Sequence, residues 1–406
     1  MIRLVLVVLL ASAVALAQPA AAVFAQVDEI VTGLSDITGW QVRKKIPSQI
    51  LSKTTFRHYL ETRVKGSSNE KDIHVEELTL KLFGLIPQDF NLANETVDLM
   101  SEQAAAFYDF NRKRLFILDS TPEGPERRMA LVHELAHALA DQHHPLGKFQ
   151  RQGSPDDDAA TAREAVMEGQ ATWLSWAYES RRAGGKAEVP PAVLDQITKT
   201  TAEDSAEFPV LSAAPLYLRE SLVFPYSEGT KFQDAEFHRL GQPSFDELFT
   251  RPPRSTQQIM HPDAYESDKR PIEPDFPVFP AIAGKNARLF RMLAEGSIGE
   301  FDLSILLRQY VGETEATPAA GHWRGGSFRI YEHRHEKYPL LAHVSEWDSP
   351  EAARDFFALY QRVLKGKWKQ MQIGEQSAEA ISGSGDSGRF EVRVAGTRVQ
   401  SIEGLR

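Results

Sequence analysis

The run His133-Glu134-Leu135-Ala136-His137 places two imidazoles four residues apart, with a carboxylate beside the first. On a helix this spacing stacks both rings on one face, a turn apart, so that a nitrogen of each reaches a single metal ion. Zinc is the expected ion, because it takes two imidazoles and a carboxylate and leaves a fourth position for water. The chemistry that follows is hydrolytic: zinc brings the pKa of such a water toward neutrality, and a nearby carboxylate removes its proton as it attacks a carbonyl carbon. Glu134 is that carboxylate, and it would then hand the proton to the leaving amine. A site that only braces the fold would have no use for it.

A third ligand is available on the next helical segment, where Glu164 and Glu168 stand one turn apart. Thr161, Ala165, Ala171, Thr172 and Ser175 share their face, small enough to let this segment lie close to the histidines. An acid on such a face needs a partner, since an unpaired buried charge is costly. Glu168 is the expected ligand and Glu164 the residue that holds a ligand imidazole or packs beside it. Asp141, a turn beyond His137, is placed to orient that ring, and His143-His144 to cap carbonyls at the helix end. A donor for the tetrahedral oxyanion must come from elsewhere. His261 is the first candidate, with Tyr265 or Tyr226 as the alternative.

These residues need particular elements to position them. The histidine helix starts at Thr121-Pro122 or Gly124-Pro125, each a capping residue before a proline, and stops before Pro145. Its partner opens at Ser154-Pro155-Asp156-Asp157 and ends at Arg182, before Gly184-Gly185. Upstream, Ala106-Phe107-Tyr108 and Arg114–Leu118 read as a hairpin turning at 109–113. Helices are expected over 206–222 and 227–240, then at two capping boxes, Ser244-Phe245-Asp246-Glu247 and Ser255-Thr256-Gln257-Gln258. Pro262, Pro271, Pro274, Pro277 and Pro280 mark an extended connection. Beyond a helix near 301–311, strand-like runs at 328–331, 340–344 and 390–394 surround one helix at 350–364.

His133-Glu134-x-x-His137 followed by Glu168-Gly169 resembles the gluzincin branch of the zincin metallopeptidases. Asp141-Gln142-His143, Glu168-Gly169-Gln170-Ala171-Thr172 and Ser255-Thr256-Gln257-Gln258-Ile259-Met260-His261-Pro262 resemble more closely a poorly characterised family of exported bacterial proteins assigned as metallopeptidases. The likeness covers roughly residues 102–265 and, more faintly, the C-terminal part. It implies a zincin-like core, zinc and a peptide or protein substrate, and it gives Arg114–Leu118 the role of an edge strand that pairs with extended substrate.

Composition bounds the rest. The chain has 406 residues and a formal net charge of -10, with acids and bases interspersed and no basic block to track a phosphate backbone or an anionic membrane. Nucleic acid and membrane partners are therefore not expected. Cysteine is absent, which excludes disulfides, thiolate ligands and lipid attachment through cysteine. Met1-Ile2-Arg3 and the apolar run that follows read as a signal peptide over 1–25, so the protein is expected to be exported, periplasmic or secreted. The expected fold is α+β. A helical region at 26–100 precedes a zincin-like catalytic core at 101–265, a proline-rich connection and helix at 266–320, and a small α+β domain at 321–406. Two other readings share these residues: a binding or assembly protein with a structural metal, and a zinc amidase acting on a non-protein substrate.

Overall fold

The computed structural model describes residues 20–64, 69–121, 123–153, 156–199 and 208–406. Most of the expected signal peptide lies outside them, and no helix among them is long and apolar enough to cross a membrane. The protein is α+β, with a helical body and a C-terminal antiparallel sheet.

The chain enters through α1 (Ala20–Thr38), whose Val27, Ile30, Val31, Leu34 and Ile37 form the buried stripe of an amphipathic helix. There follow β1 (Ser48–Leu51), α2 (Lys53–Val64), α3 (Asn69–Phe83) and α4 (Leu92–Gln103). The hairpin is formed by β2 (Ala106–Asp109) and β3 (Arg114–Leu118), with Phe107 opposite Phe116. β1 adds to its far side in parallel, giving the order β1-β3-β2. β3 is thus the central strand and cannot pair with substrate as an edge, contrary to the expectation. The short run Ser48-Gln49-Ile50-Leu51 occupies that side, and β2 is the edge that faces the histidine helix.

That helix is α5 (Pro125–His143), opened by Gly124 and a proline at its first position. Residues 129–141 are all buried, so the helix runs through the core with no solvated face. α6 (Leu146–Arg151) is a short turn that the sequence reading lacks. α7 (Asp157–Arg182) is capped by Asp156, whose carboxylate accepts the Ala159 amide; the expected opening at Ser154-Pro155 lies outside the described residues.

After α8 (Pro191–Lys199) and α9 (Pro209–Ala213) comes α10 (Leu216–Leu240), one 25-residue helix that runs straight through Pro225. A break was expected near residues 223–226. It falls instead at Ala214-Pro215, because α10 packs along α7 and this burial outweighs the roughly 3 kcal/mol an interior proline costs. α11 (Ser244–Thr250) forms without the expected capping box, since the Ser244 hydroxyl accepts from Gln233 instead. α12 (Thr256–Met260) is capped by Ser255 as expected, and α13 (Pro262–Glu266) follows.

The sheet begins earlier than residue 321. β4 (Phe290–Ser297) is its first strand, ahead of α14 (Glu300–Tyr310) and α15 (Glu313–Ala320). β5 (Trp323–His333), β6 (Pro339–Trp347), α16 (Pro350–Lys367), β7 (Gln372–Gln376), β8 (Ala380–Gly385), β9 (Gly388–Ala395) and β10 (Arg398–Leu405) complete it in the order β4-β5-β6-β10-β9-β8-β7. A single apolar cluster runs from Val27 through α5 and α7 to Val399, so helical body and sheet share one core.

Candidate metal centre

His133, His137 and Glu168 meet where α5 crosses α7. His133 Nε2 lies 3.0 Å from His137 Nε2 and 3.1 Å from Glu168 Oε2, and the third side of the triangle is 3.4 Å. A tetrahedral ion with bonds of about 2.0–2.1 Å sets its ligand atoms roughly 3.3–3.4 Å apart, so this donor set would take a metal ion with shifts of only a few tenths of an ångström. The three residues are 3, 2 and 1 % exposed, and among the described residues they are the group able to hold an ion. Burial pushes the His133 imidazole down to about 4, which leaves it neutral as a ligand must be. Burial would raise the Glu168 carboxyl, yet the facing imidazoles of His137 and His133 outweigh it and hold the group below the usual carboxylate range.

Glu134 is fully buried on the same helix. Burial, and then the charge of Glu168, push its carboxyl well above the usual range, against the pull of a 2.6 Å hydrogen bond from the Tyr108 amide. Its other oxygen, Oε1, has no hydrogen-bond partner. The Tyr108 amide can reach it because Phe107 and Asp109 bond to β3, which turns the polar groups of Tyr108 outward from the sheet edge.

Helix packing brings a further group to the centre. Gly169 and Gly229 lie in backbone contact: a Cβ on Gly169 would fall 2.1 Å from the Gly229 carbonyl carbon, and one on Gly229 would fall 2.2 Å from the Ala165 oxygen. The close approach of α7 and α10 lays Tyr226, one turn before Gly229, over His133 at 5.9 Å between ring centroids. Burial together with the carboxylates of Glu168, Glu134 and Glu164 keeps its hydroxyl protonated. Thr172, one turn past Glu168, places its hydroxyl 3.5 Å from His133 Nδ1.

Other expected participants sit elsewhere. His261 is paired with Glu300 at 2.8 Å and held above its ordinary pKa by that bond. Tyr265 gives its hydroxyl to the Arg251 carbonyl at 2.7 Å, with its ring between Phe232 and the Arg251 guanidinium. Of the three residues considered as oxyanion donors, the fold brings Tyr226 to the ligands. Asp141 does not hold His137: its carboxylate takes the Tyr108 hydroxyl, the Lys113 ammonium and the Leu146 amide, because a turn beyond His137 the side chain meets the hairpin and the start of α6. Glu164 is half-buried, and its charge acts on Tyr226. His144 is the C-cap of its helix, where its amide donates to the Ala140 carbonyl, but the imidazoles of His143 and His144 reach away to the Gln41 carbonyl and Asp246.

A family model described as a domain of unknown function (DUF8575) matches residues 288–406, the stretch from just before β4 to the last residue. The metal centre lies outside that match. No curated protein matches the chain, and no solved structure does.

Proposed function

We propose that this protein is a zinc-dependent hydrolase of peptide bonds that works outside the cytoplasm, after loss of the leader expected at residues 1–25. One observation carries this reading: beside the His133, His137 and Glu168 cluster stands Glu134, fully buried, with one carboxylate oxygen unpartnered. A structural site has no need of such a group.

Zinc held by His133, His137 and Glu168 would supply Lewis acidity at a substrate carbonyl and to the attacking water. Glu134 takes the proton from that water and returns it to the leaving nitrogen, and the Tyr108 amide fixes the direction in which its carboxylate points. Tyr226, protonated at neutral pH, donates to the oxygen on which negative charge develops. The test compares wild type with Glu134→Gln on a mixture of peptides, scoring new termini by mass spectrometry. Equal zinc content with a loss of about 10²–10⁴-fold in cleavage is expected. Cleavage by the variant at the wild-type rate would remove Glu134 from the chemistry and the peptidase reading with it.

A further inference from the structure

His133, His137 and Glu168 are almost wholly buried, so a side chain over them must move before a substrate can reach them. Three half-buried side chains touch the ligands: Tyr226 over His133, Thr172 at its Nδ1, and Phe110, whose ring meets His137 edge-on with centroids 6.2 Å apart. Tyr226 and Thr172 stand on α10 and α7, which are locked together by the contact of Gly169 with Gly229. Phe110 differs, because it opens the four-residue turn between β2 and β3.

That turn is fastened from outside. The exposed Lys113, in the left-handed region at φ 51°, reaches back to the buried Asp141 on α5. Arg112 leans on Asp109 at 3.5 Å and covers the Tyr59 ring. Next to Phe110 stands Gly147 on α6, which puts no side chain in the way: a Cβ there would come no nearer than 3.8 Å to that of Phe110.

We propose that residues 110–113 form the gate of the metal centre, with Phe110 as its leaf and the Lys113–Asp141 pair as its latch. What the gate admits rests on the metal reading given above, but its motion does not, so it is tested on the metal-free full chain. Wild type, Phe110→Ala, Phe110→Trp and Lys113→Ala are treated with diethyl pyrocarbonate, and carbethoxylation of each histidine is followed by peptide mass spectrometry. Phe110→Ala and Lys113→Ala raise the rate at His137 by about tenfold, while Phe110→Trp leaves it at or below wild type. Added salt speeds the reaction in wild type but not in Lys113→Ala, which has no ion pair left to screen. His343, buried in the sheet far along the chain, reports on the fold and keeps its wild-type rate. His137 reacting at the wild-type rate in both Ala variants overturns the gate. So does a rise at His343 that matches the rise at His137 in every variant, since the whole fold has then loosened. Absence of zinc from wild type would end the metal reading and leave these rates to decide the gate.

Discussion

His133 has a neighbour placed to fix its orientation, and a substitution there discriminates well. Thr172 is the group on the second nitrogen of His133. Thr172→Ala should weaken zinc binding by about 10–100-fold, as losses of such partners do, while Thr172→Ser keeps most of the affinity. Competition with a chromophoric chelator reads both. At this scale the sequence was legible where neighbours in the chain are also neighbours in space. His133, Glu134 and His137 needed only helical spacing, and Glu168 needed only the assumption that two helices cross. Tyr226, Thr172 and Tyr108 were not singled out first, because what brings them to the centre is tertiary contact: a glycine pair between α7 and α10, and the register of the hairpin. His261 illustrates the converse. A histidine beside a capped helix looked free for chemistry, and Glu300, 39 residues on, claims it.

The helix pair α7 and α10 does the positioning, and its contact leaves no room for a methyl group. Gly169→Ala should destabilise the fold by roughly 1–3 kcal/mol or more, since the added carbon meets backbone that cannot step aside. The same displacement moves Tyr226 away from Glu168, so zinc affinity should fall together with the melting temperature. A Gly169→Ala variant as stable as wild type and with unchanged affinity would mean the helices are not so tightly joined. At this scale the sequence yielded most element types but misplaced several joints. Pro225 reads as a break because local propensity is all that a sequence shows, whereas the long buried face against α7 decides the outcome. β1 went unseen because four residues with only two apolar side chains carry too little pattern to mark a strand.

Over the whole molecule, the N-terminal region is part of the architecture. α1 buries its stripe in the main cluster, β1 completes the small sheet, and residues 41–44 bind the end of α5 through Gln142 and His143. Deleting residues 20–52 should therefore abolish cooperative unfolding. A deletion variant that is soluble, cooperatively folded and faster in turnover would instead mark the segment as inhibitory.

The sheet adds a pH dependence of its own. His343 is buried with both ring nitrogens unpartnered, and burial, then the charge of Lys367, pushes it down to about 3 from an unfolded value near 6.5. The unfolded chain thus binds a proton that the folded chain refuses. Stability from this group is whole above pH 6.5 and is lost as pH falls toward 3, at about 1.4 kcal/mol per unit. Denaturant melts from pH 7 to 4 should show a shallower acid decline in His343→Leu than in wild type, and equal slopes would contradict the assignment.

The central claim is that α5 and α7 hold one catalytic metal, and zinc content measured by elemental mass spectrometry tests it most directly. The purified chain should carry about one zinc, lost in His137→Ala and kept in Glu134→Gln. No zinc in wild type, or zinc that survives His137→Ala, would contradict the account and leave His133, His137 and Glu168 as a hydrogen-bonded cluster in a buried core.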